Sequence, residues 1–520
     1  MSTSRGASSG RASSAPRGGR GASRGAGRGA GRGAVRGADR GAVRGAVRGA
    51  GRGTGRGGDQ GERGGRQGAP QRQAPPQQPD IVKYPLGNLV TKITTKDIDL
   101  TASDDTLSAT AVISDCEYVA SYNWMNENAS TIMVPGKPPL WTPLSEPRKL
   151  EKDTGDFYRD PNAARFPSYP IQPAVQAMFR VGAAFSTSNI DVFACGSTLG
   201  NLLRFARHDD TPFRFTVELI GNTVFFLRKD GSPTELIPGV RGFGHTFPEA
   251  YTTWEPDVKG SATHQRIVQY KFGGLRFILR FECDGYLNTA LPGKPSHDEN
   301  DDLVQALKAV SVSQSLPQQN DVLNIKTGGS EVPQSSIFDL KTRFGRQSQS
   351  INMEQIFPLL YLRQIPNFIV AYHNGGGVFP TKDIKVENLE KEIRQWEIDN
   401  ESALKRFSVL LRKVIEVVKT DGSGPLEIYR PSPDCLEIRR QHGDELHVLP
   451  LSLRQEWEAA GLHAAEEFSS DQESSQEAEG VSLPHGYSNY NYNFDSDSDD
   501  DKDFTACSAD DCGYCGRCTY

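Results

Sequence analysis

Two short segments of this 520-residue chain hold the residue types that do chemistry: Arg280 to Tyr286 (Arg-Phe-Glu-Cys-Asp-Gly-Tyr) and Ser336 to Arg343 (Ser-Ile-Phe-Asp-Leu-Lys-Thr-Arg). Side chains alternate across a strand, so residues two apart share a face. Glu282 and Asp284 are therefore expected on one face, and so are Asp339 and Lys341, with Cys283 and Leu340 turned the other way. Three carboxylates and a lysine on adjacent strands suit a hard divalent cation such as Mg²⁺. The lysine can position, or help deprotonate, a water beside a phosphate. Either triplet alone reads as a solvated strand face. Together, in this order and each inside an apolar strand, they read as a site.

The elements that must position these residues are strands in the middle of the chain and helices late in it. Ile267 to Phe281 contains two strand runs split by Gly273-Gly274, and Leu323 to Thr327 is another, turned by Gly328-Gly329. Phe213 to Leu219 and Thr223 to Leu227 read as strands joined by the hairpin signal Ile220-Gly221-Asn222. Further strands are expected at Thr110 to Ser114, Cys116 to Trp124, around Phe193, and over Pro366 to His373. Helical spacing covers Ile171 to Phe185, Met353 to Leu362, and Val386 to Val418, where Ile393, Trp396, Leu404, Phe407, Leu411 and Ile415 form an apolar stripe. A short helix is expected over Asp301 to Ser311. The fold class is α/β, with a mixed central sheet and flanking helices.

Composition divides the chain. Residues 1–78 are Gly, Ala, Ser and Arg with repeated Arg-Gly steps, too poor in apolar bulk to offset their ordering entropy. Residues 461–505 are rich in Glu, Asp and Ser and read as a disordered acidic tail. The formal charge of −6 averages these opposite ends and describes neither. Between them, residues 79–460 suffice for one large α/β domain. No apolar run reaches membrane-spanning length, so no membrane association is expected. The start of the chain is not that of a secreted protein, so an intracellular, reducing compartment is expected, the nucleus before the cytoplasm.

At these motifs the chain resembles the decapping exoribonucleases (DXO-like), a family with a PD-(D/E)xK-type site acting on 5′-end-modified RNA. The resemblance is piecewise over Tyr118 to Val418. Asp191 to Leu203 resembles the segment around the family's first motif, and Gly244 to Tyr251 the second, a Gly-aromatic segment ending in a metal-binding Glu, here Glu249. Glu282-Cys283-Asp284 matches the third motif and Asp339-Leu340-Lys341 the fourth. Ile365 to Asn374 resembles the strand that follows the site. The resemblance implies that Glu249, Glu282, Asp284 and Asp339 bind one or two Mg²⁺ or Mn²⁺, and that Lys341 orients the attacking water. Lys341, Asp339 and Glu282 are then the catalytic residues. It implies a metal-dependent RNA 5′-end hydrolase: decapping, pyrophosphate-removing, or a 5′-3′ exoribonuclease. Three departures stand out. Cys195 takes the place of an arginine that contacts the RNA phosphate, and a thiol lacks the forked, charged contact of a guanidinium. Asp339 replaces a glutamate. Asn288 to Ser335 form an apparent insertion. A catalytically degenerate member that binds RNA or a partner is the alternative.

Other features add RNA and metal candidates. Arg24, Arg28, Arg32 and Arg36 of the Arg-Gly arm can pair with phosphates and stack on bases, and RNA is the expected partner. No protein partner is suggested. Cys507, Cys512, Cys515 and Cys518 are spaced closely enough to hold Zn²⁺, or to form an iron–sulfur or redox-active tail; an unstructured tail is the other reading. His373 reads as a satisfied loop histidine and Trp396 as core. Asp499 to Asp503 matches the diphosphate-binding Asp-Asp-x-x-Asp pattern. That chemistry needs two such motifs on facing helices, and this one is single.

Overall fold

Alternating apolar residues and glycine turns set most of the strands in this computed structural model. The structure describes residues 79–470 except 100–110, 183–184, 230, 238–239, 241, 289–321, 346–350, 423 and 444–445. In chain order the strands begin β1 (Leu89–Thr94), β2 (Ser114–Met125), β3 (Thr131–Gly136), β4 (Leu140–Trp141), β5 (Phe157–Tyr158), β6 (Val192–Cys195), β7 (Arg214–Ile220), β8 (Thr223–Arg228) and β9 (Leu236–Ile237). They continue with β10 (Thr252–Thr253), β11 (Ser261–Phe272), β12 (Leu275–Glu282), β13 (Gly285–Tyr286), β14 (Asn324–Gly329), β15 (Ile337–Phe344), β16 (Asn367–His373), β17 (Ile384–Asn388), β18 (Leu426–Ser432) and β19 (Cys435–Arg440). The helices are α1 (Thr95–Ile98), α2 (Pro161–Arg165), α3 (Gln172–Val181), α4 (Gly196–Ala206), α5 (Thr246–Tyr251), α6 (Met353–Arg363), α7 (Glu390–Asp399), α8 (Glu401–Asp421) and α9 (Leu451–Ser470).

Among the described residues the strands form two large sheets. One runs β1-β19-β18-β7-β8-β6-β12-β11-β2-β3-β14, the other β10-β4-β13-β15-β16-β17. Parallel pairs (β12 with β6, β15 with β16) sit among antiparallel ones, so the fold is mixed α/β as expected. The sequence suggested one main sheet. The chain instead changes sheet at the site: β12 ends at Glu282, Cys283 N donates to His264 O at 3.0 Å, and Gly285 then pairs with Phe338. The β11–β12 hairpin turns at Gly273 and Gly274, with φ of +61° and +73°, the left-handed pair that a tight two-residue turn requires.

Three apolar clusters fix the layers. The largest joins Phe277, Leu279 and Phe281 of β12 to Phe368 and Val370 of β16, Leu202 of α4, Leu360 of α6 and Leu411 of α8. Full burial of such a side chain contributes about 1.5–3 kcal/mol. A second holds Tyr122, Trp124, Val175, Ile278 and Trp457 on the other face of the larger sheet. In the third, Phe247 and Tyr251 of α5 pack on Phe338, Leu340 and Ile369. Phe338 and Leu340 face α5, so alternation turns Asp339 and Lys341 to the opposite face of β15.

Two expectations are corrected. The helix over Val386 to Val418 begins later and is broken: Val386 pairs with Ile369 as the edge strand β17, and Asn400 separates α7 from α8. Asn400 leaves helical geometry (φ −104°, ψ 16°), and its Nδ2 donates to Trp396 O at 2.9 Å. The strand read at Cys116 to Trp124 is β2, which starts at Ser114 and pairs with β11 through register shifts; Ala111 to Ile113 belong to no strand, and Thr110 lies outside the described residues. The helix expected over Asp301 to Ser311 lies outside the described residues.

Candidate functional site

The third and fourth motifs meet through a backbone contact. Asp284 lies between β12 and β13, and its Oδ2 accepts a hydrogen bond from Leu340 N at 2.7 Å. Extending the Gly285–Phe338 register by one residue puts Asp284 across from Asp339. Cys283, between Glu282 and Asp284, is buried; burial pushes its thiol up to about 12, Arg266 opposes that, and the charges of Asp284 and Asp339 add to it. This thiol is a packed side chain rather than a nucleophile.

Asp339 is the centre of a buried ion cluster. Its Oδ1 lies 2.7 Å from Lys341 Nζ and its Oδ2 is bonded by Arg363 Nη1 at 3.1 Å. The Asp339, Lys341 and Arg363 side chains are 5%, 1% and 3% exposed. Lys341 reaches Asp339 along one strand face, two residues apart. Arg363 arrives from the last turn of α6, a residue that the motifs do not flag. Its position is set by three features. Gln364 caps the helix in the left-handed region (φ +53°). Gln334 Nε2 donates to Arg363 O and Gln364 O at 3.1 and 2.9 Å. Gly196, the first residue of α4, leaves space for the side chain: a Cβ there would lie 3.1 Å from Arg363 Nε.

Cys195 ends β6 and caps α4. Its N–H bonds Thr198 Oγ1 at 3.3 Å and its Sγ lies 3.1 Å from Ser197 Oγ, so the first-motif position carries a buried side chain that cannot be cationic. Glu282, the last residue of β12, pairs across the hairpin with Gln265, whose Nε2 donates to Oε2 at 3.5 Å. Its charge also acts on Arg165, whose guanidinium burial pulls down and Glu282 props up.

Glu249 has different neighbours. It is an exposed residue of α5, and its carboxyl is raised by desolvation, with His245 opposing and Asp153 adding to the rise. Asp153 is buried: Oδ2 accepts from His245 N at 3.0 Å and lies 3.2 Å from His245 Nδ1, while Oδ1 accepts from Thr246 N at 3.0 Å. The His245 ring stacks on Phe157 at 4.0 Å. A cavity of about 460 Å³ lined by Lys149, Lys152, Phe243, Gly375 and Gly376 adjoins this segment. His373 is not the loop histidine expected: it is the buried last residue of β16, its Nδ1 accepting from Gly375 N at 3.0 Å, whereas Trp396 is core as read from sequence. Asp153, His245 and Arg363 were missed; only His245, inside the Gly244 to Tyr251 segment, lay near a motif.

The Asp339 and Lys341 side chains thus meet, and Asp284 reaches the same strand through Leu340 N; Glu282 ends the adjoining strand, and Glu249 is on α5, which packs on the other face of β15. Among the described residues no group of three or more His, Cys, Asp and Glu side chains is arranged to hold a metal ion. Mg²⁺ is commonly held by one or two carboxylates, with water and phosphate completing its shell. Asp284 and Asp339, on facing backbone segments, fit that donor chemistry. Arg24, Arg28, Arg32, Arg36, Cys507, Cys512, Cys515 and Cys518 lie outside the described residues. Among the described residues, no helix is long and apolar enough to cross a membrane.

No curated protein matches the chain in sequence. Solved structures similar to it include S. pombe Rai1, at 10% identity over 67% of this chain and 99% of that one, with a TM-score of 0.42. Scheffersomyces stipitis Rai1, in complex with (3′-NADP)⁺ and calcium ion, is 12% identical over 72% of this chain and 99% of that one (TM-score 0.44). Candida albicans Rai1, in complex with pU5-Mn²⁺, is 11% identical over 68% and 98% (TM-score 0.41). Residues 90–435, which span both carboxylate motifs, match the family described as Domain of unknown function (DUF8563), and the chain belongs to that family.

Proposed function

We propose that this chain is a metal-dependent RNA 5′-end hydrolase. One observation carries the reading: the Asp284 carboxylate bonds the N–H of Leu340, so Glu-x-Asp and Asp-x-Lys, distant in sequence, form one cluster. Asp284 and Asp339 would hold Mg²⁺ or Mn²⁺, with Glu282 on the adjoining strand; Glu249 belongs to α5, which packs on the other face of β15, and has His245 and Asp153 as its charged neighbours. The bound cation would neutralise charge on the scissile phosphate. Lys341, held at Asp339 Oδ1, would orient the attacking water in line with the phosphorus. The Arg-Gly arm with Arg24, Arg28, Arg32 and Arg36 would hold RNA without sequence preference and with strong salt dependence. The reading puts the protein in the nucleus, where capped and triphosphorylated RNA is made. The terminal cysteines are a separate candidate Zn²⁺ site.

The test is direct. Full-length protein is incubated with triphosphorylated, capped and monophosphorylated RNA in Mg²⁺ or Mn²⁺. Release of the 5′ group or of mononucleotides is expected. Asp284→Asn and Lys341→Ala should each lower the rate by about two orders of magnitude or more while the fold persists. A second reading has its own support: both Asp339 oxygens are already paired with cations, and Cys195 offers no positive charge. On that reading the chain is a degenerate member that binds RNA. Binding of all three RNAs with hydrolysis of none would decide for it.

A further inference from the structure

Arg363 has no part in the chemistry proposed above, yet it makes the contact that a divalent cation would need. Its Nη1 bonds Asp339 Oδ2 at 3.1 Å while Lys341 holds Oδ1. The placement is built. The helix ends at Arg363 through the left-handed Gln364. Gln334 bonds both residues' carbonyls and is itself held by Arg266 Nε, which donates to Oε1 at 2.6 Å. The side chain runs past Gly196, where even a methyl group would crowd it. All three charged side chains are buried, so each ion's desolvation cost is recovered only through its partners.

We infer that Arg363 is the resident cation of this carboxylate centre: it pins Asp339 from α6 and must release that carboxylate before a divalent ion can take it. The inference rests on the metal-dependent reading. Its physical basis is competition. A dication approaching Asp339 meets two positive charges already there, and like charges in a low-dielectric site repel strongly. A neutral side chain at 363 removes one of them and frees Oδ2. Arg363 is therefore a positioning residue that sets the cation affinity of the site without entering the chemistry.

Mn²⁺ binding, read from the free-ion electron paramagnetic resonance signal, tests this on the full chain without any turnover. Arg363→Met should bind Mn²⁺ roughly tenfold tighter than the parent or more. Arg363→Met with Asp339→Asn should lose that gain. If Arg363→Met fails to fold by circular dichroism, Arg363→Gln, neutral and still able to donate to Asp339, should also tighten Mn²⁺ binding. Equal Mn²⁺ affinity in the parent and the neutral variants, with both weakened by Asp339→Asn, overturns the inference and leaves the metal-dependent reading standing. No Mn²⁺ binding by any chain overturns both. Retained hydrolysis in Arg363→Met with tighter Mn²⁺ binding supports both.

Discussion

Asp339 and Asp153 are both buried aspartates whose two oxygens are both engaged, but by different kinds of partner. Asp153 is satisfied by the backbone N–H groups of His245 and Thr246 and by a histidine ring. Asp339 is satisfied by two long cationic side chains, Lys341 and Arg363. Backbone donors are fixed by the fold, so Asp153 is a built-in tie that anchors the start of α5 and orients His245. Side-chain cations are not fixed by the backbone, so on the proposal above Asp339 exchanges one of them for a divalent ion. Burial and full pairing are alike in the two carboxylates; the kind of partner, backbone or side chain, is what differs.

Removing each aspartate sharpens that difference most. Asp339→Ala deletes the anion that Lys341 and Arg363 share in the interior and should cost about 3–5 kcal/mol in urea unfolding. Asp153→Ala leaves two backbone donors and one ring nitrogen without this acceptor, and should cost about 1–3 kcal/mol. The reverse order would break the comparison. A neutral double change, Asp339→Asn with Arg363→Met, should recover part of the loss, because fewer uncompensated charges stay buried.

A smaller effect is expected from pH. Burial works to raise the Asp153 carboxyl, but the His245 ring and the two backbone N–H groups outweigh it and hold it below the ordinary range. A depressed folded-state value gives stability that is present above the unfolded value, about 3.9, and lost as pH falls through the folded one. Asp153→Asn should therefore flatten the acid limb of the urea midpoint below about pH 4. Glu249 has the opposite sign: desolvation raises it, so its ionisation opposes folding as pH climbs from its unfolded value through its folded one. Glu249→Gln should remove that slope. An unchanged acid limb in Asp153→Asn would mean that Asp153 is not the tie described.

Much of this could be read in the sequence because strands state their own faces. The period-two pattern of Asp339-Leu340-Lys341 put the ion pair on one face and Leu340 on the other, and Gly273-Gly274 marked the hairpin that delivers Glu282. Arg363 could not be read. It ends an apolar helix where a basic residue is ordinary, and only packing of α6 against α4 brings it to Asp339. Asp153 was equally hidden, because its partners lie 92 and 93 residues away on a loop and a helix start. The change of sheet at Cys283 also escaped, since local pattern fixes a strand's faces but not its neighbours. The break at Asn400 depends on a side-chain bond to a carbonyl four residues back, which a helical stripe running through the position conceals.

The finest test of the comparison is one methyl group. Gly196 has no positive φ that demands glycine, so alanine is compatible with its backbone and gains helix propensity. Its Cβ would meet Arg363 Nε at 3.1 Å, Phe281 Cβ at 3.6 Å and Arg363 Cγ at 3.7 Å. Phe281 is packed in the core and cannot yield, so the guanidinium must move by a few tenths of an ångström. That movement acts on a 3.1 Å bond to Asp339 while leaving the Lys341 contact alone. Stability should change by about 1 kcal/mol or less, as the propensity gain and the crowding oppose each other. Mn²⁺ binding should tighten in the same direction as in Arg363→Met, but less. If Gly196→Ala weakened Mn²⁺ binding, Arg363 would be helping to hold the cation site open rather than competing for it, and Asp339 would be as fixed a tie as Asp153.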